Sequence, residues 1–122
     1  MAWSLQSDRP IYAQLVGLLQ RMIVTGVYPA GSRLPSVREL AAEAAVNPNT
    51  MQRALVKLEE DGLIFTQRTS GRYVTEEQEK IMETKKEMAE QLIFQFIEDM
   101  SYLGYTKEQT MTMINRTEEK SK

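Results

Sequence analysis

Between residues 11 and 23 the apolar side chains Ile11, Leu15, Leu18, Leu19, Met22 and Ile23 recur at offsets of three and four, the spacing of one face of a helix. Pro10 opens that run, and Gly26 closes it as a glycine just past a helix end does. From Val27 to Pro35 there are too many turn residues for a helix, so the stretch predicts a connector with a very short strand around Arg33 and Leu34. Ser36-Val37-Arg38-Glu39 then has the S-x-x-E form of a capping box, which starts a short second helix with Val37, Leu40, Ala41 and Ala44 inward. Asn47 offers a further N-cap with Pro48 at the first helical position, so a third helix begins only a few residues later.

In this third helix Met51, Ala54, Leu55 and Leu58 share one side, which puts Asn49, Arg53 and Val56 opposite and Thr50, Gln52 and Lys57 on the flanks. Gly62 ends it. Two β-favouring runs, Leu63 to Arg68 and Arg72 to Thr75, then flank Thr69-Ser70-Gly71 in the pattern of a short hairpin. Beyond Glu76 the rhythm lengthens to a single long helix, with Met88, Ala89, Leu92, Ile93, Phe96, Ile97 and Met100 along it and Gly104 at its end. Thr106-Lys107-Glu108-Gln109 repeats the capping-box form, Met111 and Ile114 mark the apolar side of a last short helix, and a polar tail after Arg116 is expected to fray.

Composition narrows what such a chain can do. With no histidine and no cysteine among 122 residues, the Ser/His and Cys/His nucleophile systems and the usual zinc ligand sets are excluded. No enzyme activity, metal or cofactor is expected. Carboxylate neighbours such as Glu59 and Glu60 do not make a site either, because adjacent helical residues point about 100° apart. The absence of a long apolar stretch argues against a membrane span, and the absence of cysteine suits a reducing cytoplasm, so a cytoplasmic protein with no membrane association is expected. The net charge of −2 is unevenly spread: residues 1–75 carry eight Lys/Arg against six Asp/Glu, whereas residues 76–122 carry seven against eleven. Overall acidity therefore does not exclude nucleic acid from the N-terminal part.

The outward face of the third helix carries the candidate chemistry. Asn49 and Gln52 can each form paired hydrogen bonds with adenine, and the Arg53 fork matches the O6 and N7 of guanine. Ser36, Arg38, Asn47, Thr50 and Lys57 stand where they can hold phosphates and set register, and Arg68 and Arg72 flank a turn able to approach the DNA backbone or minor groove. A plain solvated helix face and an ordinary turn are the alternatives. Two tightly joined, separately capped helices followed at once by a hairpin form a more restrictive pattern than either alternative requires.

Pro10-Ile11-Tyr12, the Gly26-to-Gly31 stretch, Leu34-Pro35-Ser36-Val37-Arg38-Glu39-Leu40-Ala41 and Val46-Asn47-Pro48-Asn49-Thr50, with Ala54-Leu55 and Leu58-Glu59, closely resemble the winged-helix domain of GntR-type bacterial transcription regulators over roughly residues 10–75. The short C-terminal part looks like that of the YtrA-like subgroup. The resemblance implies a homodimeric repressor in which Arg38, Asn49, Thr50 and Gln52 fall at DNA-contacting positions and Gly71 falls in the wing. The chain departs from the pattern at Pro48, where many relatives have arginine, and at Ala45, where a glycine is common. If residue 45 must be left-handed, alanine costs about 1 kcal/mol there.

The fold expected is mainly α with a small β-hairpin: a winged helix-turn-helix domain over residues 1–75 and a short two-helix dimerisation segment over residues 76–122. Leu92, Ile93, Phe96, Ile97, Met100, Leu103, Tyr105, Met111 and Ile114 are too many apolar residues for an isolated helical pair to hide, and a second copy would cover them. Folding back onto the N-terminal domain is the alternative. Trp3 is expected to pack at an edge. The function expected is sequence-specific binding of a (pseudo)palindromic double-stranded DNA operator by a homodimer, with the small-molecule effector, if one exists, unspecified. A winged-helix module that docks proteins through the same outward helix is the competing reading, separable by the steep salt dependence of phosphate contacts.

Overall fold

The computed structural model describes residues 3–120, with side chains described through residue 117. In chain order the elements are α1 (Ile11–Val24), α2 (Val37–Ala44), α3 (Pro48–Glu60), β1 (Ile64–Gln67), β2 (Gly71–Val74), α4 (Gln78–Tyr102) and α5 (Lys107–Lys120). This is the mainly helical chain with one hairpin that the apolar rhythm predicts. It divides into two units, Met1–Lys85 and Lys86–Lys122, the boundary falling within α4.

In the first unit α3 is the central element, packing against α1, α2 and β1. Its inward Met51, Ala54, Leu55 and Leu58 meet Leu15, Leu19 and Ile23 of α1 and Leu40, Ala41 and Ala44 of α2 in one buried cluster. Each fully buried Leu or Met contributes about 1.5–3 kcal/mol. The alanines matter for a different reason, since their small side chains let α2 and α3 approach closely. Leu63, Ile64 and Val74 close the cluster from the hairpin side, and Trp3 packs half-buried at its edge. Ile81 also joins it, so this core reaches past residue 75 into the first turns of α4.

The caps explain the sharp turn between α2 and α3. Ser36 Oγ accepts from the Glu39 amide at 3.1 Å while the Ser36 amide donates to Glu39 Oε1 at 3.0 Å, completing the capping box. At the other end of α2 Ala45 adopts φ 56 and ψ 48, with the Ala45 amide on Ala42 O and the Val46 amide on Ala41 O. Asn47 Oδ1 then accepts from the Asn49 amide at 2.7 Å and Pro48 takes the first helical position. Two residues separate the left-handed turn from the next helix.

The hairpin differs from expectation by one residue. Its turn is Arg68-Thr69-Ser70 rather than Thr69-Ser70-Gly71, because Gly71, at φ 111, pairs with Gln67 while the Ser70 amide bonds back to Gln67 O. Arg33 bridges to Tyr73, with the Leu34 amide on Arg72 O and the Val74 amide on Ser32 O, so the very short strand expected at Arg33 and Leu34 lies beside β2.

In the second unit α4 ends at Gly104, φ 99, and Thr106 and Gln109 form the expected box through reciprocal bonds of 2.9 and 3.1 Å. Helix α5 runs to Lys120, past Arg116, and residues 121 and 122 lie outside the described residues. Among the described residues of this unit only Thr110 is buried.

Candidate nucleic-acid interface

Burial of one side of α3 presents the other. Asn49, Gln52 and Arg53 are exposed, Thr50 and Lys57 are half-buried on a flank, and Val56 is exposed between them. The start of the helix is fixed by the Asn47 side chain, whose oxygen is already committed to the Asn49 amide. Ser36 is committed in the same way at the start of α2. Both residues therefore act first as caps, leaving the Asn47 side-chain NH₂ as its donor for any ligand.

The cations differ in how free they are. Among the described residues only two ion pairs form, Lys57 with Asp61 at 3.2 Å and Arg72 with Glu59 at 2.8 Å. The first is an exposed pair one helical turn apart. The hydrogen bond to Asp61 and its charge hold the Lys57 ammonium above its usual pKa, but solvent screens an exposed pair of this kind and it contributes little to stability. Lys57 can exchange Asp61 for a phosphate at little cost. Arg38, Arg53 and Arg68 are exposed and have no carboxylate partner among the described residues. Arg53 instead lies over the Tyr12 ring of α1, its guanidinium carbon 4.5 Å from the centroid. Such stacking limits the rotamers of a long side chain without using its hydrogen-bond donors.

Arg72 is where the structure departs most from the sequence reading. Expected to reach DNA from the wing, it points to α3 and donates Nε to Glu59 Oε1, the two side chains being 19% and 27% exposed. The reason is strand alternation. Ile64, Thr66, Arg72 and Val74 share the inner face of the hairpin, on which Ile64 and Val74 enter the core. Thr66 Oγ1 donates to the second oxygen, Glu59 Oε2, at 2.6 Å. Burial alone would raise the Glu59 pKa; the hydrogen bonds from Thr66 and Arg72, with the Arg72 charge, outweigh it and hold the carboxyl below the usual glutamate range.

On the opposite face of the hairpin Phe65 and Tyr73 stack with centroids 5.9 Å apart, and Tyr73 Oη lies 3.0 Å from Ser70 Oγ, which stiffens the turn carrying Arg68. Gly71 is tightly placed: a Cβ there would stand 3.3 Å from Arg33 Nε, at a φ that only glycine adopts readily. Arg33, which the turn-rich sequence around it places in a connector, is thus an exposed cation beside the wing. Its alternation with buried Leu34 was the available signal. Glu59 and Tyr12 were also missed, since neither pairs with a sequence neighbour.

Most of the expected dimerisation residues lie at the surface. Leu92, Ile93, Phe96, Leu103, Tyr105, Met111 and Ile114 are all exposed, while Ile97 and Met100 are half-buried. Phe94, off the expected stripe, is exposed as well. Among the described residues no helix is long and apolar enough to cross a membrane.

Comparison with known proteins agrees with this geometry. The family described as "Bacterial regulatory proteins, gntR family" matches residues 11–74. The chain is 37% identical over 100 residues to the HTH-type transcriptional repressor YtrA of Bacillus subtilis (strain 168), covering 81% of this chain and 77% of that protein. A GntR family transcriptional regulator from Listeria monocytogenes superposes with a TM-score of 0.84 at 43% identity, over 92% of this chain and 98% of that one. The DNA-binding domain of AraR, solved in complex with operator ORX1, superposes with a TM-score of 0.53 at 25% identity, over 58% of this chain and 87% of that one. With its matched segment spanning α1 to the end of the hairpin, the chain belongs to the GntR family of bacterial regulatory proteins and is a transcriptional regulator with a winged-helix DNA-binding domain.

Proposed function

We propose that the protein is a homodimeric repressor that binds a (pseudo)palindromic operator, each α3 entering the major groove of one half-site. The observation that carries this reading is the division of α3 into a fully buried side and an exposed Asn49–Gln52–Arg53 side, with the helix start pinned by Asn47 and Pro48. Asn49, Gln52 and Arg53 read base edges, and Val56 offers an apolar contact for a thymine methyl. Arg38, Thr50 and Lys57 hold phosphates beside Ser36 and Asn47, Arg68 reaches the backbone from the wing, and Gly71 keeps the wing compact. Arg72 contributes through its hold on Glu59.

Residues 1–75 carry DNA binding in this reading. Dimerisation belongs to residues 76–122, chiefly beyond Lys85, and its support is the exposed apolar series there, Thr110 being the one buried residue among those described beyond Lys85. Two half-sites are what specificity over a genome normally requires.

Selection of bound duplexes from a random-sequence pool tests the reading. The expected product is an inverted repeat whose affinity falls steeply with salt. Arg53→Ala should cost about 1–3 kcal/mol and relax one position per half-site, whereas Arg38→Ala should weaken all sequences alike and reduce the salt slope by about one. A protein that enriches no sequence, and whose weak DNA binding is unchanged by either substitution, would instead be a module that docks on proteins.

A further inference from the structure

Glu59 stands on the flank of α3 that also carries Gln52, seven residues or about two turns earlier. An acid on a helix flank offered to DNA repels phosphate unless its charge is compensated. Here it is compensated from both strands of the hairpin at once. Thr66 and Arg72 are direct cross-strand partners, and each supplies one donor to one carboxylate oxygen, at 2.6 and 2.8 Å. Among the described residues these are the only side-chain hydrogen bonds between α3 and the hairpin, the Leu63 amide bonding to Leu58 O where the hairpin begins. Toward the core Ile64 and Val74 hold the hairpin's base, but the strands are four residues long, and farther out Phe65, Thr66 and Gln67 are exposed. The Leu34 amide holds Arg72 O from the connector side, and the Glu59 carboxylate is the tie that fixes the outer hairpin to α3.

We propose that Glu59 is a positioning residue for DNA binding: by gripping both strands it sets where the wing turn with Arg68 stands relative to the Asn49–Gln52–Arg53 face, so that the two engage one duplex as a single rigid surface. The proposal rests on the reading of those two surfaces as DNA contacts. It differs from a purely structural role in one respect. Loss of Glu59 should uncouple the wing from the helix while leaving the helix's own contacts at their normal strength.

The test is a set of double-mutant cycles on the full chain, titrating the duplex that the unaltered protein selects from a random pool. Arg68→Ala should weaken binding clearly in the unaltered background and by less than about twofold in a Glu59→Ala background, while Arg53→Ala costs the same factor in both, giving a coupling of about threefold or more for the first pair alone. Thr66→Val, which removes one of the two donors and keeps the side-chain shape, should give a smaller coupling of the same sign and serves if Glu59→Ala does not fold. An equal Arg68→Ala loss in both backgrounds overturns the positioning role. If Arg53→Ala costs nothing even in the unaltered protein, it is the DNA-contact reading of α3 that fails, and the two failures are told apart.

Discussion

Helix α3 and the stretch from Leu92 to Ile114 are written in the same amphipathic code and meet opposite fates. Leu55 of α3 is 1% exposed, whereas Leu92 of α4 is 73% exposed. On α3 every apolar residue of the stripe finds α1, α2 or the hairpin, and the polar side left over is the candidate reading surface. Along α4 and α5, among the described residues, most of the stripe stays exposed. Apolar area of that extent on a single chain marks a place where another surface belongs. The first region thus needs its neighbours in sequence to fold, and the second, in the reading proposed above, needs another copy.

The sharpest way to break this contrast is to place charge in the second stripe. Ile93→Glu with Phe96→Glu should convert a dimer to monomers in sedimentation and weaken operator binding by on the order of 10²–10⁴, the advantage lost when two linked half-site contacts become independent. The melting of the first unit should be little changed. Leu55→Ala should do the reverse, costing about 2–5 kcal/mol in chemical denaturation through the cavity it leaves, with the subunit association constant unchanged in whatever protein remains folded.

A smaller effect separates the helix ends. Gly62 and Gly104 close α3 and α4 in left-handed conformations, and Ala45 closes α2 in the same hydrogen-bonding pattern but with a Cβ. Ala45→Gly should raise stability by about 0.5–1 kcal/mol, relief of strain being partly offset by the freedom glycine regains when unfolded. A shift of the denaturation midpoint to lower denaturant would show that the turn is not strained. The smallest effect is at acid pH. Because the folded-state pKa of Glu59 is depressed, its contribution is complete above the unfolded glutamate value of about 4.3 and is lost as pH falls through the lower folded value. The stability difference between the unaltered protein and Glu59→Gln should therefore shrink from pH 6 to pH 3, and a constant difference would contradict the assignment.

Periodicity made much of this legible. The inward sides of α1, α2 and α3 follow from offsets of three and four, and the helix starts at Ser36, Asn47 and Thr106 follow from local cap chemistry, which involves residues close together in the chain. The outward placement of Asn49, Gln52 and Arg53 follows from the same count. The hairpin was legible as a pair of strands, though not in register, since one glycine conformation at Gly71 decides where the turn falls.

What sequence alone determined is the set of elements and the side each turns inward, because both depend on interactions within a few residues. Tertiary structure decided what each polar group is engaged with. Arg72 turns to Glu59 across thirteen residues, Arg53 rests on Tyr12 of another helix, and Arg33 comes to stand beside Gly71. Such partners are set by how rigid elements pack, and a pattern with a period of two or 3.6 residues carries no record of the distance at which two elements will meet.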